Sequence, residues 1–249
     1  MAQQDRDGPP PAPDHCAACP IRTQTPYGGV HEEEADRLAG LRNRTIELPG
    51  NANVIAVGDA PGEVLTLYSG WAYRYTRFSD GARQILSIVL PGEAIGLSTL
   101  PGGRMSHAVS TLTACTFCCL DKTDLQGYLI ADHDACQRVF RNMIDRRNRT
   151  ERQLALLGRR QARQRVAAVL VDLHRRLHRL GMADAREFPF PLRHSHLADL
   201  VGLTPIHVSR VFRDLEADRT VRRLQRRVQV LDPARLESLA DHAADRDAA

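Results

Sequence analysis

Residues 193–216, RHSHLADLVGLTPIHVSRVFRDLE, read as two short helices joined by a tight turn. Leu197, Ala198, Leu200 and Val201 give the first an apolar face, and Val208, Val211, Phe212 and Leu215 do the same for the second. Gly202 between them can take the positive φ that ends a helix without a Cβ clash. Ala198 lies four residues before that glycine, where closely crossing helices need a small side chain, and Val208 lies six after it, where an apolar residue plugs the crossing. A small residue, a glycine and an apolar plug in this order form the helix-turn-helix pattern, whose second helix enters the DNA major groove. Its outward side, with Ile206, His207, Ser209, Arg210 and Arg213, is rich in hydrogen-bond donors. An antiparallel helix hairpin with an arginine-rich surface would share the amphipathic faces, but would not require the three spaced residues.

The charge distribution agrees. The 249 residues carry a formal net charge of +4, placed unevenly. Residues 1–140 hold 11 basic against 16 acidic side chains, whereas residues 141–249 hold 23 against 14. The basic half contains the helix pair, as a phosphate-binding surface requires. The length leaves room for two domains. No apolar run is long enough to span a bilayer and no signal peptide opens the chain, so a cytoplasmic location is expected. Six cysteines in such a chain are read as thiols or ligands rather than as a disulfide framework.

Residues 1–13, polar and proline-rich, are expected to be disordered. Cys16 and Cys19 follow as a C-x2-C pair able to hold a metal ion or one edge of a cluster. A short helix fits His31–Leu41. From Asn43 to about Lys122, runs rich in Val, Ile, Leu, Thr and Tyr alternate with turns at Gly58-Asp59, Pro61-Gly62, Ser69-Gly70, Asp80-Gly81, Pro91-Gly92 and Gly102-Gly103. This texture predicts an antiparallel sandwich or barrel, with consecutive hairpins across 65–93. Trp71, Tyr73 and Tyr75 alternate with Ala72, Arg74 and Thr76, which predicts a strand with two distinct faces. Glu63 and Glu93, beside turn glycines, read as solvated turn acids, and no catalytic constellation stands out.

Residues 129–161 turn helical, and Cys136, Phe140, Met143, Arg147, Thr150, Leu154 and Leu157 follow a 4-3-4-3-4-3 spacing. That seam predicts a homodimer interface, the other reading being a core-facing helix within one subunit. A second amphipathic helix, QARQRVAAVLVDLHRRLHRLG, follows. Beyond the recognition helix, TVRRLQRRVQVLD can form two strands of a wing whose tip holds Arg222, Arg223, Arg226 and Arg227. DPARLESLADHA reads as a closing helix capped by Asp232, with Pro233 in its first turn.

The order β-domain, long helix, winged helix-turn-helix resembles the CRP/FNR family of bacterial transcription regulators, from about Cys16 to the end. The match is strongest at GLTPIHVSRVFRDLE, at YSGWAYRYTRFSDGARQILSIVLPGEAIG and at RQARQRVAAVLVDLHRRL. The resemblance implies an α+β chain with a disordered tail at 1–15, an antiparallel β-roll sensor domain at 16–128, a parallel dimerisation helix at 129–158 and a winged helix-turn-helix DNA-binding domain at 159–249. It implies recognition of an inverted repeat in double-stranded DNA by a homodimer, contact with RNA polymerase, and no enzymatic activity.

In the family's cyclic-nucleotide branch a Gly-Glu pair is followed by an Arg-Ser that clamps the phosphate. Gly92-Glu93 is present, but Met105-Ser106 stands where Arg-Ser belongs and Arg104 is one residue off, so a cyclic nucleotide is disfavoured. The FNR-like branch holds an iron–sulfur cluster by three N-terminal cysteines and a central one. Cys16 and Cys19 match the first two and Cys118 the central one, making these three the candidate metal ligands, while the third N-terminal position falls at Thr25. The sequence demands no cofactor; a cysteine-based response to oxygen or redox state, through a cluster or a thiol switch, stands beside small buried cysteines with constitutive or abundance-controlled DNA binding. Two other functions compete: a thiol-redox protein using Cys16 and Cys19, and a ligand-binding module without a DNA role.

The resemblance places base contacts at Ile206, His207, Ser209 and Arg210. Arg210 would donate two bonds to guanine, Ile206 would sit against a thymine methyl where the main branches carry a glutamate, and His207 could donate to a purine N7. Phosphate contacts fall to Arg193, His194, Ser195, Thr204, Arg213, Arg226 and Arg227. Arg193 lacks the oxygen of a usual N-cap, and Arg219 and Gln225 replace the family's wing glycines.

Overall fold

The computed structural model describes residues 11–29 and 31–240. Most of the proline-rich tail expected to be disordered (1–10) and the end of the closing-helix stretch (241–243) lie outside the described residues. The chain divides into two compact units after Asn148.

In the first unit, α1 (Glu32–Leu41) leads into eight strands: β1 (Arg42–Leu48), β2 (Asn53–Ile55), β3 (Glu63–Ser69), β4 (Ala72–Arg77), β5 (Arg83–Val89), β6 (Ala94–Ile95), β7 (Ala108–Thr111) and β8 (Cys115–Asp121). They form two antiparallel four-stranded sheets, ordered β1-β8-β3-β6 and β2-β7-β4-β5. Leu65, Leu67, Phe117 and Cys119 of the first sheet pack with Ala72, Val89 and Val109 of the second to form the inter-sheet core. Alternation along β8 sends Cys115, Phe117 and Cys119 into that core. It sends Leu120 to the opposite face, where it packs with Tyr27, Leu38 and Val64, and with Leu125 and Tyr128 of α2 (Lys122–Ala131).

One expectation needs correction here. Of the hairpins predicted across 65–93, only β4–β5 is one, running from Ala72 opposite Val89 to Arg77 opposite Arg83. The chain between β3 and β4 changes sheet instead, and Gly70 makes the crossing possible. Its φ is +90°, and a Cβ there would lie 2.2 Å from the carbonyl oxygen of Ala114. The two faces of β4 do differ: Ala72 enters the inter-sheet core, whereas the Tyr73 and Tyr75 rings lie 5.5 Å apart on the other side, although Ala72, Tyr73 and Arg74 are all buried.

The helix α3 (His133–Arg159) buries Ala135 and Val139 and exposes Cys136, Phe140, Met143, Arg147, Thr150 and Leu154, the seam residues. Phe140 is 66% and Leu154 70% exposed, whereas Leu157, the last seam residue, is half-buried, so most of this face lies outside the cores formed by the described residues. The second unit continues through α4 (Ala162–Arg179), β9 (Glu187–Pro189), α5 (His194–Val201), α6 (Pro205–Ala217), β10 (Val221–Arg223), β11 (Arg227–Val230) and α7 (Pro233–Ala240). The wing contains a third strand, β9, paired with β11. Two prolines in Glu187–Pro191 mask it in the sequence, yet an edge position tolerates a missing donor. Asp232 accepts from Arg235 N at 3.0 Å, the expected cap of α7.

Candidate nucleic-acid interface and cysteine cluster

The helix pair is built as its sequence dictates. Leu197, Ala198, Leu200 and Val201 of α5 and Val208, Val211, Phe212 and Leu215 of α6 are all buried. Gly202 takes φ +64° between them, and Leu203 N donates back to Ala198 O at 3.1 Å. Thr204 is the N-cap of α6: its Oγ1 accepts from His207 N at 3.2 Å, and Pro205 occupies the first turn. Arg193, the N-cap of α5, offers no side-chain oxygen, and the stabilisation comes from the other direction, as its backbone N donates to His196 Nδ1 at 3.3 Å.

The outward side of α6 presents Ile206, His207, Arg210 and Arg213 to solvent, with Ser209 half-buried. Ile206 is 67% exposed, a large apolar side chain on an otherwise polar surface. Of the candidate phosphate contacts, Arg193, Ser195, Thr204, Arg213, Arg226 and Arg227 are exposed. Arg227 also pairs with Glu187. His194 stands apart. Its ring stacks on Phe212 at 5.7 Å, its Nε2 is buried without a hydrogen-bond partner, and burial, then the Arg223 charge, lower its pKa. The wing turns without the family's glycine: Arg219 takes φ +54° at the end of α6, while Arg219 N donates to Glu216 O and Thr220 N to Leu215 O. This is a Schellman ending with a non-glycine residue in the left-handed position.

In the β-domain, Cys16 and Cys19 sit half-buried in and beside a short 3-10 turn, and Cys118 is half-buried on β8. The three are near enough for their charges to interact. Burial raises all three thiols, their mutual charges raise Cys16 and Cys118 further, and Arg42 opposes the shift at each. Arg42 also reaches the carbonyl oxygens of Pro13 and Asp14, tying the start of the described chain to this cluster. Tyr27 is buried in the apolar cluster against which Cys16 packs, and bonds Thr66.

Four thiolates are not available. Thr25 Oγ1 donates to Arg22 O at 2.8 Å and accepts from Gly28 N at 2.9 Å. Cys115 and Cys119 lie in the inter-sheet core, with burial raising each to about 11. Among the described residues no three His, Cys, Asp or Glu side chains are gathered to hold a metal ion. The residues therefore do not complete a four-cysteine cluster.

Glu93, expected as a solvated turn acid, is instead half-buried against Arg74, whose Nη1 lies 3.1 Å from its carboxylate. Arg74 is 3% exposed; Nη1 also reaches Ser87 Oγ at 3.3 Å and Nη2 donates to Ala94 O at 3.0 Å. Glu63 is likewise engaged, by Arg44 at 2.8 Å. Met105 is fully buried in the apolar core, and Arg104 is turned to the Gly58 carbonyl at 2.9 Å. Glu93 is thus taken by the protein's own arginine, and Met105, where the phosphate-clamping arginine belongs, is apolar and buried. These residues do not fit a cyclic nucleotide.

A double-sheet β-domain, a long exposed-seam helix and a winged helix-turn-helix define a DNA-binding transcription regulator. Residues 45–132 match the cyclic nucleotide-binding domain family and residues 164–239 the Crp-like helix-turn-helix domain family. The nitrogen fixation regulation protein FixK of Bradyrhizobium diazoefficiens is 29% identical over 226 residues, covering 90% of this chain and 93% of that protein. The transcriptional activator protein FnrL of Cereibacter sphaeroides is 28% identical, covering 92% and 93%. The structure of FixK2 from Bradyrhizobium japonicum superposes with a TM-score of 0.73 at 23% identity, over 81% of this chain and 98% of that one. The chain belongs to the CRP/FNR family, on the FNR-like side of it, and its relatives are regulators rather than enzymes. No helix among the described residues is long and apolar enough to cross a membrane.

Proposed function

We propose that this regulator binds an inverted-repeat operator in double-stranded DNA as a homodimer, with α6 in the major groove of each half-site. The observation that carries the reading is the division of α6 into a fully buried apolar side and an exposed side holding Ile206, His207 and Arg210. Arg210 supplies a bidentate fork for guanine, His207 a donor for a purine, Ile206 an apolar contact for a thymine methyl, and Ser209 a hydroxyl at the edge of the surface. Arg193, His194, Ser195, Thr204, Arg213, Arg226 and Arg227 supply phosphate contacts that fix the register. The dimer forms along the seam of Cys136, Phe140, Met143, Arg147, Thr150, Leu154 and Leu157, exposed in all but the half-buried Leu157, and RNA polymerase is the downstream partner. The domains run as tail 1–15, β-roll 16–128, dimer helix 129–158 and DNA-binding domain 159–249. The site of action is the cytoplasm.

Selection from a random duplex library tests this directly. A palindromic consensus with half-sites about one helical turn apart is expected; enrichment of a single half-site or of no sequence would overturn the dimeric reading.

The signal proposed is redox state, acting through Cys16, Cys19 and Cys118. Cys16 and Cys19 lie near enough to Cys118 for their charges to interact, with Arg42 acting on all three, which supports it. Iron and acid-labile sulfide are measured on protein purified without oxygen. No iron, together with oxidant-dependent loss of free thiols, is expected of a thiol response. Iron and sulfide in equal amounts that are lost in air would assign the response to a cluster held by three cysteines.

A further inference from the structure

We propose that Arg223 is a positioning residue for DNA binding: it fixes the wing on the recognition helix and makes no DNA contact itself. This rests on the reading of α6 and the wing as the DNA-binding surface. The sequence crowds Arg222, Arg223, Arg226 and Arg227 into six residues, and the resemblance gives phosphate contacts to the last two while assigning no role to the first two. The structure separates one. Arg222, Arg226 and Arg227 are exposed, whereas Arg223 is half-buried.

Its guanidinium carbon lies 4.9 Å from the ring centroid of Phe212 on α6 and 5.7 Å from that of Phe190, ahead of α5. In the same pose Nη2 donates to Leu192 O at 2.8 Å, and Nη1 is buried without a hydrogen-bond partner. Its backbone N donates to Glu216 Oε1 at 2.8 Å, a second link to α6. Burial lowers its pKa and Glu216 opposes the shift. One side chain thus joins β10, α6 and the segment leading into α5. It does so with the two properties that separate arginine from lysine: a flat face that stacks on aromatic rings and in-plane donors that bond at the same time. A residue turned inward in this way has no face left for a phosphate, but it decides where the exposed arginines of the wing are carried.

The test compares Arg223→Lys with Arg226→Ala, reading the slope of log Kobs against log salt on the selected operator. Arg226→Ala removes one phosphate contact and is expected to reduce the slope by about one for each wing. Arg223→Lys keeps the charge. A direct phosphate contact would survive it, since an ammonium serves a phosphate as a point charge. A positioning role would not, and the slope is expected to fall by more than it does in Arg226→Ala. Adding Arg226→Ala to Arg223→Lys should then change little, because Arg226 has already left the DNA. The base preference at the α6 positions should persist in Arg223→Lys, showing that the helix pair is folded. A native slope in Arg223→Lys overturns the proposal while leaving the wing reading intact. A native slope in Arg226→Ala removes the wing from the DNA and defeats both.

Discussion

Arg210 on α6 and Arg74 on β4 carry the same guanidinium, one in solvent and the other 3% exposed against Glu93. On α6 the buried and exposed sides are separated by the helical repeat, so a cation placed on the polar side remains available to a ligand. On β4 the strand has two faces, and at its start both are covered, so its arginine is consumed within the protein. The recognition helix presents its charge and the start of β4 uses its charge up. This contrast explains how a chain can retain a β-domain of the nucleotide-binding kind while its Glu93 serves the fold.

The sharpest way to break this contrast is to remove the inward arginine. Arg74→Ala leaves Glu93 without its cation and should cost about 3–5 kcal/mol in urea unfolding of the β-domain. Replacing both partners by Leu should recover much of that loss. A single-variant cost below about 1 kcal/mol would show that the pair is not part of the framework. Acid probes the same interior. Burial first, then the Arg74 and Arg146 charges, lower His107 to about 4. It is therefore neutral in the folded state when an unfolded histidine, near 6.5, is already protonated. Its contribution is complete above about 6.5 and is lost as the pH falls towards 4, so His107→Gln should flatten that part of the stability profile. At the outward arginine the effect moves from folding to recognition. Arg210→Ala should leave stability unchanged and cost about 1–3 kcal/mol of discrimination at one position of each half-site; unchanged preference would mean that Arg210 does not read a base. The smallest expected effect is at the cap between the two helices, where Thr204→Ala should cost about 1 kcal/mol of stability.

The same contrast decides what could be read in advance. The buried residues of α5 and α6, the turn at Gly202 and the cap at Asp232 follow from periodicity and local chemistry, which need no knowledge of distant partners. The burial of Arg74 does not, because alternation assigns a residue to a face without saying whether another layer covers it. Glu93 fails with it: a turn acid looks solvated until the strand bearing its partner is placed beside it. The sheet change at Gly70 resembles a hairpin in sequence, and the strand Glu187–Pro189 is hidden by its prolines. Among the cysteines, alternation correctly separates Cys118 from Cys119, but the reach of Cys16 and Cys19 towards Cys118 depends on how the N-terminal segment crosses the sheet.

β8 gives that separation a further meaning. Cys118 lies opposite Thr45 and Thr66, and Cys119 opposite Arg44 and Leu65, with β8 held between β1 and β3. A slip of one residue would exchange the two thiols, turning Cys119 towards the N-terminal segment and Cys118 into the core. Pairing on both edges therefore does more than bury a hydrophobic row. It makes the identity of the accessible sulfur a matter of folding fidelity, so that a mispaired β-domain would be chemically as well as conformationally wrong.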